Sequence, residues 1–246
     1  MSNIKVNVTQ NGTTTLATEG CYCDRDIDVI VNAEDRYEEG VQAAYDVLWD
    51  ALQNFGERAN YSLFFAGAGW TNDTFKPKYN ITPTSANYMF DRCGEIDLIG
   101  ALERCGVVMD FSKCTSFQYL LRNGALIKHF PAIDLSAATH FNDGFRYANK
   151  VESCSFTNVS PVLLWNNSFN NCSSLINVTF SGEIGQAISF AYSSKLSNDS
   201  VQSIIDALAD LTGQTAQTLT FHATVGANMT QEQKNAVSAK NWTLVY

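Results

Sequence analysis

Apolar residues recur through the second half of this chain, mostly at steps of 21–24 residues with two departures. Phe111, Leu135, Phe156, Phe180, Phe190, Phe221 and Val245 are separated by 24, 21, 24, 10, 31 and 24 residues. Each sits in a short alternating run: VVMDFS (107–112), AIDLS (132–136), ESCSFTN (152–158), NVTFSG (177–182), AISFAY (187–192), TLTFHAT (218–224) and WTLVY (242–246). Alternation over four to seven residues predicts β-strands. One strand in roughly every 20–29 residues predicts an array of stacked units, because no unit can bury its apolar edge alone.

The segments between the strands repeat as well. Phe169, Cys172, Leu175, Val178 and Phe180 have the same mutual spacings as Phe145, Ala148, Val151, Cys154 and Phe156. Leu121, Gly124, Ile127 and Phe130 repeat the first part, as do Phe90, Cys93 and Ile96. Cysteine thus alternates with alanine and glycine in one small inward slot, where a free thiol behaves as a compact hydrophobe. The expected fold class is α/β: an irregular leucine-rich-repeat solenoid with one curved parallel sheet over roughly 107–246 and the anchors in a single buried ladder. The step of 10 around GEIGQA (182–187) predicts a tight return without helical backing.

The ends read differently. SNDSVQSIIDALADLTG (197–213) carries Val201, Ile204, Ile205, Leu208 and Leu211 at helical spacing, with Asn198 or Asp199 as N-cap and Gly213 at the stop. Thr230 and Gln233 form a capping-box pattern. Residues 193–246 are therefore expected to close the solenoid as an α/β cap. AEDRYEEGVQAAYDVLWDALQNFG places Tyr37, Val41, Tyr45, Leu48, Leu52 and Phe55 on one face, so 34–57 is expected to be an amphipathic helix that caps the array or self-associates. Residues 1–33 read as a small β module with turns at Asn11-Gly12 and Glu19-Gly20. The array proper spans 58–192, with 64–85 as a long ordered loop.

Charge and composition remove several functions. A net charge of −9 opposes nucleic acid, which demands clustered Lys and Arg, and opposes anionic lipid surfaces. No run approaches the roughly 18 apolar residues of a membrane span. The first residues alternate without an apolar stretch, so no secretory signal is read. Seven cysteines in a long chain read as reduced thiols rather than a disulfide framework. About a dozen Asn-x-Ser/Thr triplets then reflect composition, not glycosylation.

Catalytic patterns are sparse. Asp24, Asp26 and Asp28 resemble the start of a calcium loop, but Val29 replaces its glycine and Asp35 its bidentate glutamate. Cys21 and Cys23 lack the further ligands of a zinc site. His129, His140 and His222 lie in repeat units without a hydrolase or metalloprotease context, and no phosphate-binding glycine loop occurs. The chain is expected to be no enzyme and to need no cofactor.

FDRCGEIDL (90–98), FRYANKVESCSF (145–156) and FNNCSSLINVTF (169–180) resemble the irregular leucine-rich repeats of BspA type found in bacterial surface proteins. VTQNGTTTLATEGCYCDRDIDVIVN, GWTNDTFKPKYNI and the stretch from Leu196 to Tyr246 resemble modules of BspA-like proteins encoded by phages and prophages of gut Firmicutes. The resemblance implies a phage structural protein of tail-fibre, baseplate or head-fibre type, located in the virion. The N-terminal module would dock onto other virion proteins, with homo-oligomerisation open, and the repeat array would contact a host surface protein or glycan. The alternative is a bacterial scaffold for adhesion or protein interaction at the cell surface.

Residues between the buried anchors must point away from the core, because side chains alternate along a strand. Asp110, Asp134, Ser155, Thr179, Ser189 and Thr220 would then stack into one polar row on the curved face, the surface that solenoids use for binding. Hydroxyls and carboxylates suit sugar hydroxyls or a basic protein patch. A solvated sheet face is the competing reading. The row holds no aromatic ring, so Trp165, Tyr147 and Tyr192 would supply any stacking contact.

Overall fold

A computed structural model describes residues 3–10, 13–22, 27–30, 80–91, 98–104, 106–124 and 127–246, the first three stretches as backbone only. The amphipathic helix expected over 34–57, most of the loop expected over 64–85, and Cys93 lie outside the described residues. Among the described residues the fold is mixed α/β with three separate three-stranded sheets.

In the first sheet β1 (Asn3–Gln10) lies between β2 (Thr13–Tyr22), antiparallel, and β3 (Ile27–Ile30), parallel. Glu19-Gly20 was expected to form a turn and instead lies inside β2. The register passes from Ile4 opposite Cys21 to Lys5 opposite Glu19, so Gly20 is the extra residue of a bulge. The Asn-Gly pair falls between the paired Gln10 and Thr13, outside the described residues.

After α1 (Leu98–Arg104) the chain enters the region of regular anchors. The second sheet, β4 (Ile133–Asp134), β5 (Ser153–Thr157) and β6 (Asn177–Phe180), is parallel. So is the third, β7 (Ile188–Phe190), β8 (Gln217–Phe221) and β9 (Trp242–Val245). Short parallel bridges extend the pattern outside the strands, joining Ile81 to Met109, Ser116 to His140, His140 to Leu164 and His129 to Ser153. Backbone hydrogen bonds run from one repeat segment to the next. Phe117 N–H donates to the His140 carbonyl, Phe141 N–H to Leu164, and Phe130 N–H to Ser153, each at 3.0 Å.

The single curved sheet expected over 107–246 is therefore two sheets, interrupted at β6. Helix α2 (Asn198–Ala207) packs beside that strand and supplies hydroxyls where another strand would supply carbonyls. Ser200 Oγ accepts from Val178 N–H at 2.8 Å and Ser203 Oγ from Phe180 N–H at 3.1 Å. With its outward N–H groups taken, β6 has no donors left to offer β7. The apolar core nevertheless crosses the break. Phe145 stands 5.8 Å from Phe156, Phe156 5.2 Å from Phe180, Phe180 6.3 Å from Phe190, and Phe190 6.1 Å from Phe221, centroid to centroid.

Away from the strands the segments stack through turns. The N–H groups of Tyr88, Tyr119, Asp143 and Tyr147 reach the carbonyls of Gln118, Asn142, Asn166 and Asn170 in the following segment. The turns need left-handed residues at fixed places: Tyr119, Asp143 and Asn167 form one series, Asn123, Tyr147 and Asn171 another, all with φ between 53° and 61°. Asn and Asp enter this region readily, whereas a bulky residue does so under strain of order 1–3 kcal/mol.

The C-terminal elements correct four local expectations. The N-cap of α2 is Ser197, whose Oγ accepts from Ser200 N–H, rather than Asn198 or Asp199, and the helix stops at Leu208, before Gly213. The run 218–224 splits: β8 ends at Phe221, and α3 (Ala223–Asn228) begins under the His222 cap. Val245 is 46% exposed because it faces Thr220 across β8 and β9; Leu244, opposite buried Leu219, and buried Trp242 take the inward side instead. The Thr230–Gln233 capping box opens α4 (Gln231–Ala239) as the sequence predicts.

Candidate functional site

The six residues of the expected polar row are exposed or half-buried. Ser155 lies beside Thr179, and Ser189 beside Thr220. Asp134, however, pairs with Thr157, two residues beyond Ser155 on the same side of the pleat. Asp110 lies outside the strands. The row is thus two hydroxyl pairs on different sheets, with Asp134 displaced along the strand direction and Asp110 outside the strands.

The aspartates also have local work. Asp110 Oδ1 accepts from Ser112 N–H at 2.9 Å, and Asp134 Oδ1 from Ser136 N–H at 2.8 Å. Asp210 Oδ1 does the same for Thr212 N–H at 2.9 Å. Asp-x-Ser and Asp-x-Thr are thus recurring turn motifs, the Asp134 one at the exit of β4. Asn158 Nδ2 adds a bond to Asp134 at 3.1 Å across neighbouring segments. Partial burial of Asp134 pushes its carboxyl up, and the Ser136 and Asn158 bonds outweigh this to hold it below its ordinary value. The Ser112 backbone bond lowers that of Asp110.

Of the rings expected to flank the row, Trp165 is buried at 2% exposure against Phe141 and Phe169, so it cannot stack on a ligand. Tyr147 and Tyr192 are exposed, at 41% and 51%. Alternation within strands does not reveal a further cluster, Tyr88, Tyr119, Arg122 and Asp91, on the turn side of the segments.

Among the described residues, three cysteines and three histidines make structural contacts. Cys114, Cys154 and Cys172 are free, buried thiols. Burial pushes Cys114 up to about 12 and raises Cys154 and Cys172 as well. Cys172 Sγ donates to the Phe145 carbonyl at 3.1 Å. His222 Nδ1 accepts from Thr224 N–H, His140 Nδ1 lies 2.7 Å from Thr139 Oγ1, and His129 Nε2 lies 2.9 Å from Glu103 Oε1. Among the described residues no three His, Cys, Asp or Glu side chains gather as metal ligands. No described helix is long and apolar enough to cross a membrane. A cavity of about 210 Å³ between residues 194–201 and α3 is lined by Ser, Thr, Asn and apolar side chains, with no titratable group.

No family model matches the sequence, and no curated protein or solved structure is significantly similar to it.

Proposed function

We propose that this chain is a non-enzymatic structural protein of a phage virion, presenting stacked leucine-rich repeats to a host surface protein or glycan. The observation that carries the reading is the parallel hydrogen bonding between segments 24 residues apart, as in Ser116–His140–Leu164. Such pairing, continued along the chain, supports stacking of the segments into a solenoid; the BspA-like type is what the sequence resemblance implies. Solenoids bury their repeats edge to edge and expose long surfaces, which suits recognition rather than catalysis. In this reading residues 1–33 attach the chain to other virion proteins and can mediate self-association, 34–57 cap the array, 58–192 form it and 193–246 close it. Asp110, Asp134, Ser155, Thr179, Ser189 and Thr220 contribute hydroxyl and carboxylate contacts, with Tyr147 and Tyr192 as the available rings.

Negative-stain imaging of particles decorated with an antibody to this chain tests the assignment. Labelled tails, baseplates or head fibres support it; label confined to the bacterial surface favours an adhesion or interaction scaffold there. For the binding face, Asp134→Lys with Thr179→Lys should reduce particle adsorption to host cells. Unchanged adsorption with an intact fold removes those residues from the contact.

A further inference from the structure

The geometry points to a stacking site for a neutral saccharide ring formed by Tyr88, Tyr119 and Arg122. It lies on the turn side, apart from the strand-borne polar residues. The two tyrosine rings stack with centroids 4.8 Å apart and planes at 24°. Arg122 Cζ lies 4.6 Å from the Tyr119 centroid and 5.5 Å from that of Tyr88. A guanidinium capping the far side of Tyr119 would be about twice as far from Tyr88, so it sits alongside the pair and leaves an outer ring face uncovered by it. Tyr88 is 38% exposed.

The turn accepts Asn or Asp at this place. Tyr88 and Tyr119 have φ of 60° and 58°, at the place that Asp143 and Asn167 occupy in later segments. Those residues suit the left-handed conformation; tyrosine is strained in it. Both backbones are held there by bonds to the next segment, Tyr88 N–H to Gln118 O at 2.9 Å and Tyr119 N–H to Asn142 O at 3.1 Å. The apolar interior beside them is filled by other residues, the fully buried Phe90, Leu120 and Leu121. The two side chains lie outside that interior, stacked on each other and against Arg122, and residues held in strained conformations concentrate at ligand-holding positions.

Charge selects the ligand class. Arg122 is tied to Asp91 by two bonds, Nε to Oδ1 at 2.9 Å and Nη2 to Oδ2 at 2.7 Å. The Asp91 carboxylate offsets the charge of the guanidinium it holds, so a phosphate or carboxylate gains less there, and a chain of net charge −9 repels it further. A guanidinium carries five N–H donors, of which these bonds use two. The remainder are oriented in advance, which lowers the ordering cost of binding. A flat ring face beside fixed donors and without net charge matches a pyranose, with C–H groups on one face and hydroxyls at its rim.

The test reads the isolated full chain, so its failure is separate from failure of the virion assignment. The chain is applied to an array of neutral and anionic oligosaccharides at low and high salt. Retention on neutral glycans that persists at high salt is expected. In Tyr88→Asn and Tyr119→Asn the left-handed turn is kept, so the melting temperature should hold or rise while retention falls about tenfold, the size of one aromatic contact. Retention only on anionic glycans, retention on none, or full retention by both variants overturns the site. Should a variant unfold, tyrosine-ring NMR of the unaltered chain decides: the best-retained neutral glycan must shift the Tyr88 and Tyr119 signals, and unshifted signals overturn it.

Discussion

The hydroxyl of Ser200 stands 2.8 Å from the backbone nitrogen of Val178, 22 residues earlier in the chain. The same oxygen donates to the Ile176 carbonyl at 3.0 Å, so one buried serine completes two main-chain groups of the β6 edge. Ser200→Ala leaves the Val178 N–H without its partner in a site that is 2% exposed, while the Ile176 carbonyl keeps its bond from Ser197 N–H at 2.9 Å. A loss of about 1–3 kcal/mol is expected in chemical denaturation, with faster hydrogen exchange at Val178. Unchanged protection there would show that the edge does not depend on α2.

Lys240 closes the other end of the same helix. Its Nζ donates to the carbonyls of Ile205, Asp206 and Leu208 at 3.0, 3.0 and 2.7 Å. A cation on unpaired C-terminal carbonyls stabilises a helix by up to about 2 kcal/mol when partly buried. Lys240→Met, which keeps the aliphatic stem, should lower the denaturation midpoint by a corresponding amount; Lys240→Arg should recover part of it.

The aromatic ladder is graded by burial. Phe156 is 1% exposed and touches five other rings: Phe141, Phe145, Trp165, Phe169 and Phe180. Phe156→Ala should cost about 3–5 kcal/mol. Phe180 is only partly buried, so Phe180→Ala should cost clearly less. Equal losses would contradict the difference in packing.

Buried thiols should react slowly. Desolvation raises Cys172, and the Ala148 backbone bond only partly offsets it. At pH 8 the thiolate of Cys114, Cys154 and Cys172 is scarce, so peptide mapping after brief alkylation of the native chain should find these three unmodified. Cys172→Ala should be nearly neutral, because Ala148 N–H still satisfies the Phe145 carbonyl at 2.9 Å. Cys172→Leu should destabilise by about 1–3 kcal/mol through overpacking.

The Asp134 turn predicts a small acid-sensitive element. Its folded pKa lies below the ordinary value, about 3.9 in unfolded chains. The stabilisation is therefore present above about pH 4 and lost as pH falls through the lower folded value. Hydrogen exchange at Ser136 should accelerate across that range in the natural chain. Asp134→Asn, which keeps an acceptor oxygen, should remove the dependence.

Much of the interior could be read along the chain. Phe111, Phe156, Phe190 and Phe221 are buried as their recurrence requires, and Gly124, Ala148 and Cys172 share one small inward slot. The Thr230–Gln233 capping box was equally legible, since both partners lie within one helical turn. Such features depend on residue volume, polarity and neighbours three or four places away, and sequence alone determined them. Tertiary structure decided the rest. Alternation says which face a side chain takes but not which residue stands beside it, so the pairing of Asp134 with Thr157 and the exposure of Val245 depend on register between segments. The division of the sheet depends on two helix hydroxyls reaching a strand 22 and 23 residues away. The Tyr88–Tyr119 stack depends on backbone bonds that hold bulky residues in a left-handed turn they would not choose alone. In each case the deciding energy is a contact between distant segments, which local preference neither encodes nor opposes strongly enough to prevent.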